Sequence, residues 1–186
     1  MSTTSRRARC EAVADALDLP RPFDLDVLCE RIAARRGRPL RLVPLEGAPD
    51  ASTPCGVWVA TSTADMIFYE PATSGVHKLQ IVLHELAHLV LGHGAPDAER
   101  PAYATRLLQD VAECAQPVDE DGDLDLGQLL HILGRTSYTD EQEREAELLA
   151  TILSDRALSE ETPPASGRAA GVLDRLGDAF GPPARW

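Results

Sequence analysis

The thirteen residues from Leu79 to Leu91 read L-Q-I-V-L-H-E-L-A-H-L-V-L. A run this apolar belongs in a core, yet it carries His84, Glu85 and His88 at its centre. On an α-helix, residues four apart differ by about 40° in direction and about 6 Å along the axis. The imidazoles of His84 and His88 therefore leave one face and can converge on one metal ion. Glu85 lies one step round the helix, where its carboxylate can address a water on that metal rather than the metal itself. A buried charge without a partner is costly, and a helix with no ion to hold would do better with leucine at these positions. The H-E-x-x-H spacing suits a zinc hydrolase.

The rest of the chain limits what can surround such a helix. Its 186 residues are enough for one domain with a sizeable core. With aromatics at only 4%, that core must rest on Leu, Val, Ile and Ala. A net charge of −12 argues against gripping a phosphate backbone, so no direct nucleic-acid binding is expected. The charge is uneven: residues 1–41 carry nine arginines against six acids, whereas residues 94–161 carry seventeen acids against five arginines. The first stretch reads as a solvated helix surface or an interaction face. The opening residues show no secretory h-region, and no stretch is apolar enough to span a membrane. Cys10, Cys29, Cys55 and Cys114 form no C-x-x-C pair, which fits free thiols in a reducing cytoplasm.

Periodicity predicts a helix over residues 6–17, broken at Pro20-Arg21-Pro22, and a second from an Asp24 cap to about Arg36, ended by Gly37. Residues 39–45, 56–60 and 66–70 read as three strands in succession. The metal helix is expected to start near Ser74 and stop around Gly92-His93-Gly94. Short helices are expected at 107–114, 126–133 and 172–180, with a solvated acidic turn at 118–123. Thr139 can cap a strong helix from Asp140 to about Leu158. The expected class is α+β: mainly helical, with a small three-stranded antiparallel sheet packed on the metal helix. The expected organisation is one domain over 1–158 with an insertion at about 94–138, followed by a Pro-rich linker and short helix or tail over 159–186.

A catalytic zinc needs a third protein ligand and an open position. Five helical residues would rotate His93 well away from the His84/His88 face, so it reads instead as a cation at the helix C-terminus. The acidic helix Glu141-Gln142-Glu143-Arg144-Glu145-Ala146-Glu147 is the better source. Glutamate zincins place E-x-x-x-D on such a helix: the Glu is a ligand, and the acid one turn later orients a histidine. Glu143 and Glu147 have that spacing, and Glu141 and Glu145 form a competing pair. The apolar stripe Ala146, Leu149, Ala150 and Leu153 favours Glu143 as ligand and Glu147 as the acid behind a histidine.

Two blocks carry a family likeness. His84-Glu85-Leu86-Ala87-His88-Leu89-Val90-Leu91-Gly92-His93 is similar to the H-E-L-x-H-x-x-x-G-H block of the ImmA/IrrE metallopeptidases, and Glu143-Arg144-Glu145-Ala146-Glu147-Leu148-Leu149-Ala150 resembles their E-x-E-A-N-x-F-A block. With the upstream helices and sheet, the resemblance spans roughly residues 10–157. It implies a thermolysin-like zinc endopeptidase core carried by His84, His88, Glu143 and catalytic Glu85. It also implies a partner, a helix-turn-helix repressor or antitoxin that such proteins cleave or antagonise. The chain departs from the family at Glu147, where Asn or Asp is usual, at Leu149, where Phe is usual, and in Ile152-Leu153-Ser154-Asp155, which replaces L-L-M-P.

The expected chemistry is attack of a zinc-activated water on a peptide bond, with Glu85 as general base and then general acid. Tyr69, Tyr138 and His131 are candidates to stabilise the oxyanion, and the edge of the third strand is a candidate peptide track. The rival reading is a regulator or toxin–antitoxin component that binds the same kind of partner through a zincin-like fold without cutting it.

Overall fold

A computed structural model describes residues 3–44, 55–60, 64–93 and 138–159. Two helices lead: α1 (Thr3–Leu17) and α2 (Leu25–Arg36). Asp24 caps α2 by accepting from the Val27 amide at 3.0 Å, and Gly37, at φ +67°, closes it in the left-handed conformation. Arg35 and Arg36 sit in its last turn, where the helix dipole favours cations. Strands β1 (Leu40–Pro44), β2 (Gly56–Ala60) and β3 (Asp65–Tyr69) follow. Then come α3 (Gly75–Leu91), capped by the Ser74 hydroxyl, and α4 (Asp140–Ser159). Thr139 and Gln142 form a reciprocal capping box at the start of α4: the Gln142 amide donates to Thr139 Oγ1, and the Thr139 amide to Gln142 Oε1.

The class is α+β and mostly helical in the described residues, as the periodicity predicts. The sheet corrects the expected strand arrangement. Its order is β1-β3-β2, with β2 antiparallel to β3 but β1 parallel to it, so the sheet is mixed rather than antiparallel throughout. The physical reason lies in the composition of β3. Asp65-Met66-Ile67-Phe68-Tyr69 is buried at all five positions, and the strand with least tolerance for water takes the centre. β2, which precedes β3 closely in sequence, pairs antiparallel on one side of it, which leaves β1 the other side.

Helix α3 lies against β2 and β3, and α4 packs on α3, with α1 covering α4. Leu79, Leu83, Leu86 and Leu89 of α3 meet Leu149 and Leu153 of α4 in the core, all with at most 1% exposure. Each such side chain contributes on the order of 1.5–3 kcal/mol of burial energy. This aliphatic seam fixes the distance between the two helices that bear the candidate ligands.

The basic N-terminal stretch is spent partly inside the fold. Arg6 reaches Glu141, Arg9 reaches Glu145, and Arg156 of α4 reaches back to Glu11 and Asp15 of α1. Among the described residues, no helix is long and apolar enough to cross a membrane. Residues 94–137 of the expected insertion at about 94–138, with its short helices, acidic turn, Cys114 and His131, and residues 160–186 of the expected linker and tail over 159–186 lie outside the described residues.

Candidate metal centre

The interior of α3 presents its two histidines toward the start of α4, as the four-residue spacing requires. His84 Nε2 and His88 Nε2 are 3.1 Å apart, and Glu143 Oε2 lies 3.4 Å from the first and 3.6 Å from the second. These three atoms form a nearly equilateral triangle. Ligands held tetrahedrally at zinc-like distances of about 2.0–2.1 Å stand about 3.3–3.4 Å from one another. The triangle therefore matches the spacing of three ligands around one divalent ion, and among the described residues no fourth ligand joins them. The three residues are the group among the described residues that could hold a metal ion. His88 is fully buried, whereas the side chains of His84 and Glu143 are 27% and 46% exposed.

The electrostatics favour ligation. Burial, helped by the neighbouring His84 and His93, pushes the His88 pKa down to about 3. The ring is thus neutral at physiological pH and keeps a lone pair available. Tyr138 stacks on it at 3.7 Å between ring centroids, with 20° between planes. Of the expected oxyanion candidates, Tyr138 is thus placed beside the histidines, while Tyr69 is a buried member of the core cluster.

Glu85 is 6% exposed and faces β2. Its Oε2 accepts a 2.9 Å hydrogen bond from the Trp58 amide. Burial raises its pKa to about 7; the Trp58 bond opposes the shift and the nearby Glu143 carboxylate adds to it. Gly56 makes this approach feasible. A Cβ there would lie 2.5 Å from Ile81 Cγ2 and 3.2 Å from Glu85 Oε1, so only glycine lets α3 come this close to the sheet. The expected peptide track on β3 is overturned, because β3 is paired on both sides.

Two expectations about the surroundings change. His93 is not on the helix. Gly92, at φ +71°, ends α3 and turns the chain back, with the His93 amide donating to the His88 carbonyl at 3.0 Å. The His93 ring is buried, with its Nδ1 3.2 Å from His88 Nδ1, and burial lowers its pKa, so it is not the helix C-terminal cation expected. The expected acid behind the histidines, Glu147, is exposed on α4. The buried acid there is Glu145, whose Oε2 lies 3.3 Å from His93 Nε2 and whose two oxygens are each 3.1 Å from Arg9 Nη1. The sequence held a signal for this: Glu145 stands four residues before Leu149, on the flank of the apolar stripe.

Comparison with protein-family models, curated proteins and solved structures gives no match to this chain.

Proposed function

We propose that this protein is a zinc-dependent metallopeptidase of the ImmA/IrrE kind, acting in the cytoplasm on a helix-turn-helix repressor or antitoxin. The observation that carries the proposal is the convergence of His84, His88 and Glu143 to within 3.1–3.6 Å of one another, beside a buried Glu85. A donor set of two imidazoles and one carboxylate is that of a catalytic rather than a structural zinc. When bound, zinc supplies Lewis acidity, polarising a carbonyl and bringing the pKa of water toward about 7.

The remaining work belongs to the chain. His84, His88 and Glu143 hold the ion, and the aliphatic seam between α3 and α4 keeps them in register. Glu85, with a pKa near 7, can take a proton from water and return it to the leaving amine at neutral pH. A purely structural site has no use for such a group. The buried, unpaired thiols of Cys10 and Cys29 suit a reducing compartment. The choice of partner rests on the resemblance of the two sequence blocks.

The test is to incubate the zinc-loaded protein with a helix-turn-helix regulator encoded beside it, and to compare wild type with Glu85→Gln. Cleavage by wild type, reduced about 10²–10⁴-fold in the variant with zinc and fold retained, is the expected result. Binding of the partner without cleavage by either form would overturn the peptidase reading in favour of a non-proteolytic regulator.

A further inference from the structure

Behind the candidate ligands runs a line of buried polar groups that metal binding alone does not require. It passes from His88 Nδ1 to His93 Nδ1 at 3.2 Å, from His93 Nε2 to Glu145 Oε2 at 3.3 Å, and from Glu145 to Arg9 of α1. His88, His93 and Glu145 are each no more than 5% exposed. Leucine at 93 and 145 would cost the core less, so three polar groups in a row call for a purpose.

The order of protons along this line follows from donor chemistry. Arg9 offers only donors, and a carboxylate offers only acceptors, so the face that Glu145 turns to His93 must accept. His93 must then carry its proton on Nε2. A neutral imidazole has one N–H, which leaves His93 Nδ1 as an acceptor. His88 must therefore donate from Nδ1, and its Nε2 is left with a bare lone pair directed at His84 and Glu143. In water a histidine has no such obligation and mostly carries its proton on Nε2, the form that cannot bind metal through that atom.

We propose that His93, Glu145 and Arg9 are positioning residues that hold His88 as its Nδ1–H tautomer and so aim its Nε2 at the metal. This rests on the reading of His84, His88 and Glu143 as a metal centre. Gly92 is part of the device, because its left-handed turn folds His93 over His88. Tyr138, stacked on the same ring, restrains its plane. Through Arg9 the N-terminal helix becomes a support of the site rather than a separate layer.

The experiment uses the full chain with histidines labelled with ¹⁵N, stripped of metal, at pH 8. Long-range ¹H–¹⁵N correlations of the His88 ring report its tautomer, and zinc affinity is measured in parallel by chelator competition. Wild type should show His88 protonated at Nδ1. Glu145→Gln is isosteric but can offer an N–H to His93, so the His88 proton should shift toward Nε2 and zinc affinity should fall about 10–100-fold. His93→Phe should do the same, whereas His93→Asn, whose amide oxygen can still accept from His88 Nδ1, should recover most of the affinity. His88 protonated at Nε2 in wild type would overturn the proposal, as would Glu145→Gln leaving both tautomer and affinity unchanged. A wild type that binds no zinc but keeps the Nδ1–H tautomer would sink the metal reading and leave the relay standing.

Discussion

Two buried carboxyl groups sit on either side of Trp58, and they are treated in opposite ways. Asp65 is fully buried and fully served: Arg36 Nε and Nη2 reach its oxygens at 2.6 and 3.3 Å, Arg38 Nε comes within 3.4 Å, and Trp58 Nε1 donates at 3.2 Å. Among the described residues, Glu85 accepts one bond, from the amide of the same tryptophan, and has the like charge of Glu143 nearby. The first arrangement locks α2 and β2 to β3. The second leaves a carboxyl group poised between its two protonation states, which stability alone does not ask for. Structural acids are saturated with donors, and an acid kept short of them is a candidate for proton transfer.

Substituting each acid would test this contrast. Asp65→Ala strands two guanidinium groups and an indole N–H at a buried position. It should destabilise the protein by about 3–5 kcal/mol in urea unfolding, as removal of one member of a buried ion pair does. Glu85→Gln should cost little or nothing in the same assay near pH 8. A loss of several kcal/mol at Glu85, or of under about 1 kcal/mol at Asp65, would break the contrast.

The pH dependence sharpens it. The folded pKa of Glu85, about 7, lies above its ordinary value of 4.5. Between those values the folded state binds more protons than the unfolded one, so this group makes stability fall as pH rises through the window. The full effect is on the order of 3 kcal/mol, at about 1.4 kcal/mol per unit. His88 acts in the opposite sense, its depressed folded pKa of about 3 removing stability as pH falls below 6.5. Unfolding of the metal-free protein at pH 4.5 and pH 8, wild type minus Glu85→Gln, isolates the first term. A difference that does not change with pH would show that Glu85 is not held near neutrality.

A smaller effect is expected at Gly56. Gly56→Ala puts a methyl group against Ile81 and Glu85, where the branched Ile81 has little room to yield. It should cost about 1–3 kcal/mol through overpacking and, by pushing α3 from the sheet, lengthen the Glu85–Trp58 bond. Thermal unfolding would measure the first, and the pH slope above would report the second.

Much of this arrangement could be read from the chain because it depends on local rules. The four-residue histidine spacing, the Asp24, Ser74 and Thr139 caps, and the apolar flank that selects Glu143 all act within a few turns of one helix. What could not be read depends on how distant segments meet. Strand order follows from which strand is buried on both faces, and the parallel pairing of β1 with β3 has no marker in either strand. The place of His93 is not legible from helical spacing, because the helix, and with it that rotation, ends at Gly92. The spacing points to Glu147 behind the histidines because it shares a face with Glu143. Glu143 itself stands at the half-exposed rim, however, and a residue one turn along that rim stays exposed. Glu145 needed knowledge of Arg9, more than a hundred residues away, to make burial of its charge intelligible.

The central claim is that His84, His88 and Glu143 form one metal site, and metal content tests it most directly. Zinc should bind with close to one ion per chain, measured by elemental analysis after equilibrium dialysis. His84→Ala and His88→Ala should lose it, because three protein ligands hold a catalytic ion and two hold it poorly. Glu143→Ala should also lose it, whereas Glu147→Ala, on the exposed face, should retain it. Full zinc retention in all three ligand variants would contradict the account.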